Sequence, residues 1–69
     1  MNQAEYDIRR EELLTAIVDE LVERIPADIR TINDKGSLRL ALQTTSIMGF
    51  FLMAKALRVD MLTDEEKMK

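Results

Sequence analysis

Eight consecutive water-avoiding residues, Ile47-Met48-Gly49-Phe50-Phe51-Leu52-Met53-Ala54, set the terms on which this chain can fold. Their flanks, Leu38 to Gln43 and Ala54 to Arg58, are helix formers, so the spacing predicts a helix and disfavours a strand over Ser46 to Met53. At 3.6 residues per turn the run covers more than two turns, and every side of the helix is apolar there. A single neighbouring helix shelters only part of that circumference, which leaves a side for a second copy of the chain. Phe50 and Phe51 illustrate the geometry: successive residues point about 100° apart on a helix, so one ring is expected to face the first helix and the other a second subunit.

Chain length sharpens the demand for a partner. At 69 residues there is room for one domain, and below about 70–80 residues one core rarely supplies more than about 3–5 kcal/mol. Small folds compensate with disulfides, metals or association. The chain has no Cys and no His, which removes disulfides and the usual ligands of zinc and haem. Carboxylate binding of calcium or magnesium stays open. The start Met1-Asn2-Gln3-Ala4-Glu5 has neither the basic nor the apolar region of a signal peptide. The apolar run is also far shorter than the ~20 residues of a membrane helix. The expectation is a soluble, cytoplasmic protein with no membrane partner.

Four elements follow from the pattern, in a single α-helical domain over 1–69. Helix 1 is expected at about 4–25, with Leu13, Leu14, Ile17, Val18, Leu21, Val22 and Ile25 forming one apolar stripe and Pro26 ending it. A connection over 26–36 is expected to hold a short helical turn whose Ile29 and Ile32 plug the bundle end. Within it, Asn33-Asp34-Lys35-Gly36-Ser37 reads as a turn, with Gly36 free to take positive φ and Asp34 or Ser37 as cap. Helix 2 is expected at about 37–59. The tail, 60–69, carries a capping-box pattern, Thr63 with Glu66, on a helix too short to stand alone in water.

Net charge is −3, unevenly spread: residues 1–25 carry seven acids and three bases, 26–58 two acids and five bases, and 59–69 four acids and two bases. Segments of opposite sign favour pairing within the chain over capture of free nucleic acid.

Thr45, Gly49, Leu52 and Ala56 lie along one seam of helix 2, and three of them are small, which permits close approach of two backbones. The expected oligomer interface is Thr45, Met48, Gly49, Phe50, Phe51, Leu52, Met53 and Ala56, with a crossing of two copies near Gly49. The plainer reading is that Gly49 makes room for a side chain of helix 1. On the crossing reading, Gly49→Leu is expected to push the dimer apart. Met48, Met53 and Met61 with Leu57 and Leu62 could form an adaptable surface, although core filling is the commoner use of such residues. Leu57, Met61 and Leu62 are taken as contacts to another protein.

Two other classes of function can be drawn. A degenerate helix-turn-helix through Ile29 to Gln43 would present Arg39, Gln43 and Thr44 to a nucleic-acid groove, but bases are sparse and its second helix runs into the apolar segment. Magnesium held by Glu12, Asp19, Glu20 and Glu23 would support a hydrolase, but the facing helix offers no second carboxylate cluster between Asp34 and Asp60. Nucleophilic catalysis has no Cys or His to use, and two glycines cannot build a phosphate loop. The sequence therefore reads as an all-α helical hairpin that dimerises into a four-helix bundle. Its expected role is a small non-enzymatic interaction module or regulator without catalytic residues, metal or cofactor. Its partners would be itself and another protein.

Overall fold

Asn2 opens the fold: its side-chain oxygen accepts the Glu5 N–H at 2.9 Å and caps a 22-residue helix, α1, over Gln3–Arg24. The structure is a computed structural model that describes residues 2–68, whose regular elements are all helical with no strand among them. Ile25 turns extended ahead of Pro26, as a residue before proline must, and α1 stops there. One stripe of α1, Leu13, Leu14, Ile17 and Val18, is buried, and with Phe50 and Ala54 it makes the core.

A 3₁₀ turn over Ala27–Ile29 follows Pro26. Its isoleucine does not plug the bundle: Ile29 is 64% exposed and Ile32 99%. The Arg30 guanidinium donates to the carbonyls of Glu23 and Ile25, which holds the connection against the end of α1 and outside the core. Nor is 33–37 a turn. Helix α2 starts at Asp34 and runs to Leu42, with Gly36 in its first turn at negative φ. The Asp34 carboxylate accepts from the Thr31 N–H at 2.7 Å and the Thr31 hydroxyl at 2.9 Å, closing the loop that precedes the helix.

α2 runs antiparallel to α1. Lys35 reaches Asp19 at 3.2 Å, Arg39 bonds Glu11 and Thr15, and Arg10 donates to the Gln43 carbonyl. The acidic first segment and the basic middle segment therefore pair inside one chain.

The single helix expected over 37–59 is two helices, α2 and α3, the latter over Ile47–Leu57. Ser46 makes the break, because its hydroxyl caps α3 by accepting the Gly49 N–H at 3.2 Å. α1 holds it open: Arg10 donates to the carbonyls of Gln43 and Thr45, and the Tyr6 hydroxyl accepts the Ile47 N–H at 3.4 Å. These contacts supply partners for groups that a continuous helix would have satisfied itself.

Beyond the break the chain reverses. α3 runs parallel to α1, from Tyr6 beside Ile47 to Arg24, which donates to the Leu57 carbonyl at 2.9 Å. The long two-helix hairpin is thus replaced by a spine, α1, on which α2 and α3 lie in opposite directions. Their backbones approach α1 and not each other. Arg58 ends α3 in a left-handed conformation (φ 60°, ψ 41°) with the Val59 N–H returned to the Ala54 carbonyl at 2.9 Å. After it, Val59 to Met61 run back beside α1 towards Arg9, and one turn, α4, covers Asp64–Lys67.

The body is elongated, 41 × 23 × 15 Å, and exposes 5213 Å². Surface scaling gives about 4,450 Å² for a compact monomer of this mass. Phe50 is the side chain that seats α3 on α1, with no exposed surface. Phe50→Ala is expected to cost about 3–5 kcal/mol in chemical denaturation. Ile32→Ala, at 99% exposure, is expected to change stability by less than about 0.5 kcal/mol. Equal losses in the two variants would contradict this core.

Candidate interaction surface

The sides of α3 have different neighbours. Towards α1 it presents Phe50 and Ala54, fully covered, flanked by the half-buried Ile47, Met53 and Leu57. On the opposite side Met48, Leu52 and Ala56 follow at four-residue steps, so they form one ridge. Met48 is 66% and Leu52 60% exposed, and Ala56 is exposed with them. Lys55 is the one charged residue in the helix.

The two phenylalanines separate as their spacing requires, but the cover for the second comes from the same chain. Phe50 is enclosed by α1, with the Arg10 guanidinium 5.8 Å from its ring centre. Phe51 is half-buried beneath Arg9, also 5.8 Å from its ring centre, and shares a groove with Val59, Met61 and Leu62. The expectation that Phe51 faces a second subunit is therefore revised.

Gly49 has a local role. A Cβ at this position would lie 2.7 Å from Thr45 Cγ2, in the turn that starts α3. The glycine makes room for its own capping turn, which differs from both the helix 1 side chain and the crossing backbone anticipated for it. Gly49→Leu would disturb that turn in a single chain, so it does not report on association. Thr45 and Gly49 are half-buried beside the ridge, and Met53 points to the core side.

Of the three residues expected to touch another protein, Leu57 and Met61 pack against the core, whereas Leu62 is 44% exposed. Arg9 anchors this return segment. Its guanidinium donates to the Met61 carbonyl at 2.7 Å and to Glu66 Oε1 at 2.6 Å, with Glu12 at 3.4 Å on its other side. Glu66 also accepts the Thr63 N–H at 2.8 Å while Thr63 Oγ1 accepts the Glu66 N–H, which completes the capping box read from the sequence. The tail folds on its own α1, and the signal missed in the sequence was Arg9. The Thr63 N–H and the Arg9 guanidinium hold the Glu66 carboxyl below the usual glutamate range, against the opposing effect of burial. Lys67 beside Asp60 likewise lowers that carboxyl.

Several residues of the other two classes are engaged within the chain. Glu12 pairs with Arg9, Asp19 with Lys35 at 3.2 Å, and Glu20 with Arg24 at 2.8 Å. Among the described residues no three acidic side chains come together as a metal would need. Arg39 is bound to α1, and Gly36 sits inside a helix, so the turn required by the helix-turn-helix pattern is absent from that position. No helix among the described residues is long and apolar enough to cross a membrane. In comparisons with known proteins the chain matches no family model, no curated protein and no solved structure.

A folded-state carboxyl held low contributes stability at pH values above its ordinary range and loses it as pH falls through the lowered value. Docking of the tail is therefore expected to be constant from neutral pH down to about 5 and to weaken below the ordinary glutamate value of 4.5. Glu66→Gln keeps the capping-box geometry but removes the charge, and it is expected to give the low-pH behaviour at pH 7. Amide exchange at residues 61–67 reads both effects. Equal protection in the variant and the parent at pH 7 would exclude the Arg9 anchor.

Proposed function

We propose that the chain is a non-enzymatic protein–protein interaction module that works as a homo-oligomer, its first partner a second copy of itself. The observation that carries this reading is the ridge of Met48, Leu52 and Ala56: the chain covers α3 towards α1 and beside the return segment but leaves this ridge exposed. Contiguous apolar surface of this kind marks contact sites on small proteins. Surface area points the same way. The 5213 Å² exposed exceeds the compact-monomer value by about 760 Å². A standard interface buries about 800 Å² on each partner.

On this reading two α3 helices meet at the centre of a helical bundle, with the exposed side chain of Leu62 left facing outward for another protein. A dimer also supplies the stabilisation that so small a core lacks, in a chain with no cysteine to cross-link. The absence of cysteine fits a reducing, cytoplasmic setting.

Leu52→Glu places a charge in the middle of the ridge without touching the core. It is expected to weaken self-association at least about tenfold, because a buried unpaired carboxylate costs well over 1.4 kcal/mol. Light scattering would show the parent at twice the 8.0 kDa of one chain and the variant shifted to single chains, with unchanged far-UV circular dichroism. Undiminished association of Leu52→Glu would overturn α3 as the contact surface.

A further inference from the structure

We propose that two copies of this chain associate by exchanging α3, so that α3 of each protomer lies on α1 of the other and Gln43 to Ser46 is the hinge. This rests on the homo-oligomer reading above and specifies its form. In the single chain the α2 and α3 backbones approach α1 and not each other. Separating them therefore breaks no close backbone packing between them, and Leu38 and Leu42 of α2 keep their place against the core when an exchanged α3 fills the same site. Each contact of α3 with α1, Phe50 and Ala54 against Leu13, Leu14, Ile17 and Val18, is rebuilt unchanged between the two chains.

The hinge is the only part that must change conformation, and its residues permit the change. Gln-Thr-Thr-Ser contains neither Gly nor Pro. Gln43 is already in the right-handed helical region (φ −62°, ψ −22°), whereas Ser46 is extended (φ −77°, ψ 166°). If 44–46 become helical, α2 and α3 join into one helix over 34–57, close to the single helix over about 37–59 expected from the apolar pattern of this region. The carbonyls of Gln43 and Thr45, held by Arg10 in the folded-back form, would then be satisfied within that helix. Opening would also place the exposed ridge of Met48, Leu52 and Ala56 along the second half of a long helix, where it can face the exchanged partner. Exchange of an identical element is a low-cost route to a dimer when only a hinge has to refold.

Arg24 and Arg58 mark the far end of α3, since the Arg24 guanidinium reaches the Leu57 carbonyl at 2.9 Å and Arg58 follows directly. This 69-residue chain has no cysteine, so the double variant Arg24→Cys, Arg58→Cys carries only the two thiols placed there. Treated with a short bis-maleimide, an exchanged dimer joins Cys of one chain to Cys of the other and runs at twice the chain mass on a denaturing gel. The single variants are controls that should not cross-link in this way. A covalently looped single chain, found alongside a dimeric mass by light scattering, would overturn the exchange and leave the homo-oligomer standing. A looped single chain with monomeric mass would overturn both. Hinge variants give an independent reading in the full chain. Ser46→Ala removes the cap of the folded-back form and is expected to tighten the dimer roughly ten- to thirty-fold, since each of two chains loses one cap. Ser46→Pro forbids a helix through the hinge and is expected to abolish the dimer; a dimer that survives it with undiminished affinity would overturn the exchange.

Discussion

α1 is the one surface on which everything else rests. Leu13, Leu14, Ile17 and Val18 receive α2 on one flank and α3 on the other, and Phe50 is the largest side chain sealed between them. Because α2 and α3 do not close on each other, no second core can take over if the contact with α1 is weakened. Polar anchoring follows the same plan: Arg9, Arg10, Arg24, Asp19 and Glu11, all on α1, hold the tail, the hinge, the end of α3 and the two ends of α2 respectively or in pairs. The uneven charge of the sequence is thereby explained as docking chemistry. Most of these pairs are solvent-exposed, so they set register more than they add stability.

The parts legible in the sequence are those decided locally. The end of α1 is written in Pro26, the apolar stripe of α1 in its three- and four-residue spacing, and the capping box in Thr63 and Glu66. The break between α2 and α3 is not legible in the same way. Thr44, Thr45 and Ser46 are weak helix formers, but neither Gly nor Pro enforces a stop. Beside the Ser46 cap, what holds the break open is Arg10 and Tyr6, 35 and 41 positions from their partners along the chain. The end of α3 hides for a related reason: Arg58 takes the left-handed conformation usually given to glycine, so the ordinary marker of a helix end is missing. Docking of the tail depends on Arg9 and Glu66, 57 positions apart, and no local pattern announces such a pair.

The candidate surface divides along similar lines. That α3 is apolar on more than one side follows from its run of apolar residues alone, and in the single chain Met48 and Leu52 stay exposed. Met48, Leu52 and Ala56 are among the residues expected at the interface, but which of the wider set stay open could not be read in advance, because the return segment covers Phe51 and the core takes Leu57 and Met61. Gly49 shows the hazard of reading a small residue as a docking signal: Thr45, four residues before it, already occupies the space. Ile29 and Ile32 show the reverse, large apolar residues held outside by the hydrogen bonds of Arg30.

The proposal that α3 is completed by a second copy is tested most directly by thermal unfolding of the unmodified chain at concentrations spanning two orders of magnitude. Association that shelters α3 ties stability to mass action, so the midpoint should climb steadily as the protein is concentrated. A single midpoint, identical at every concentration, with Met48 and Leu52 remaining open to solvent, would contradict it.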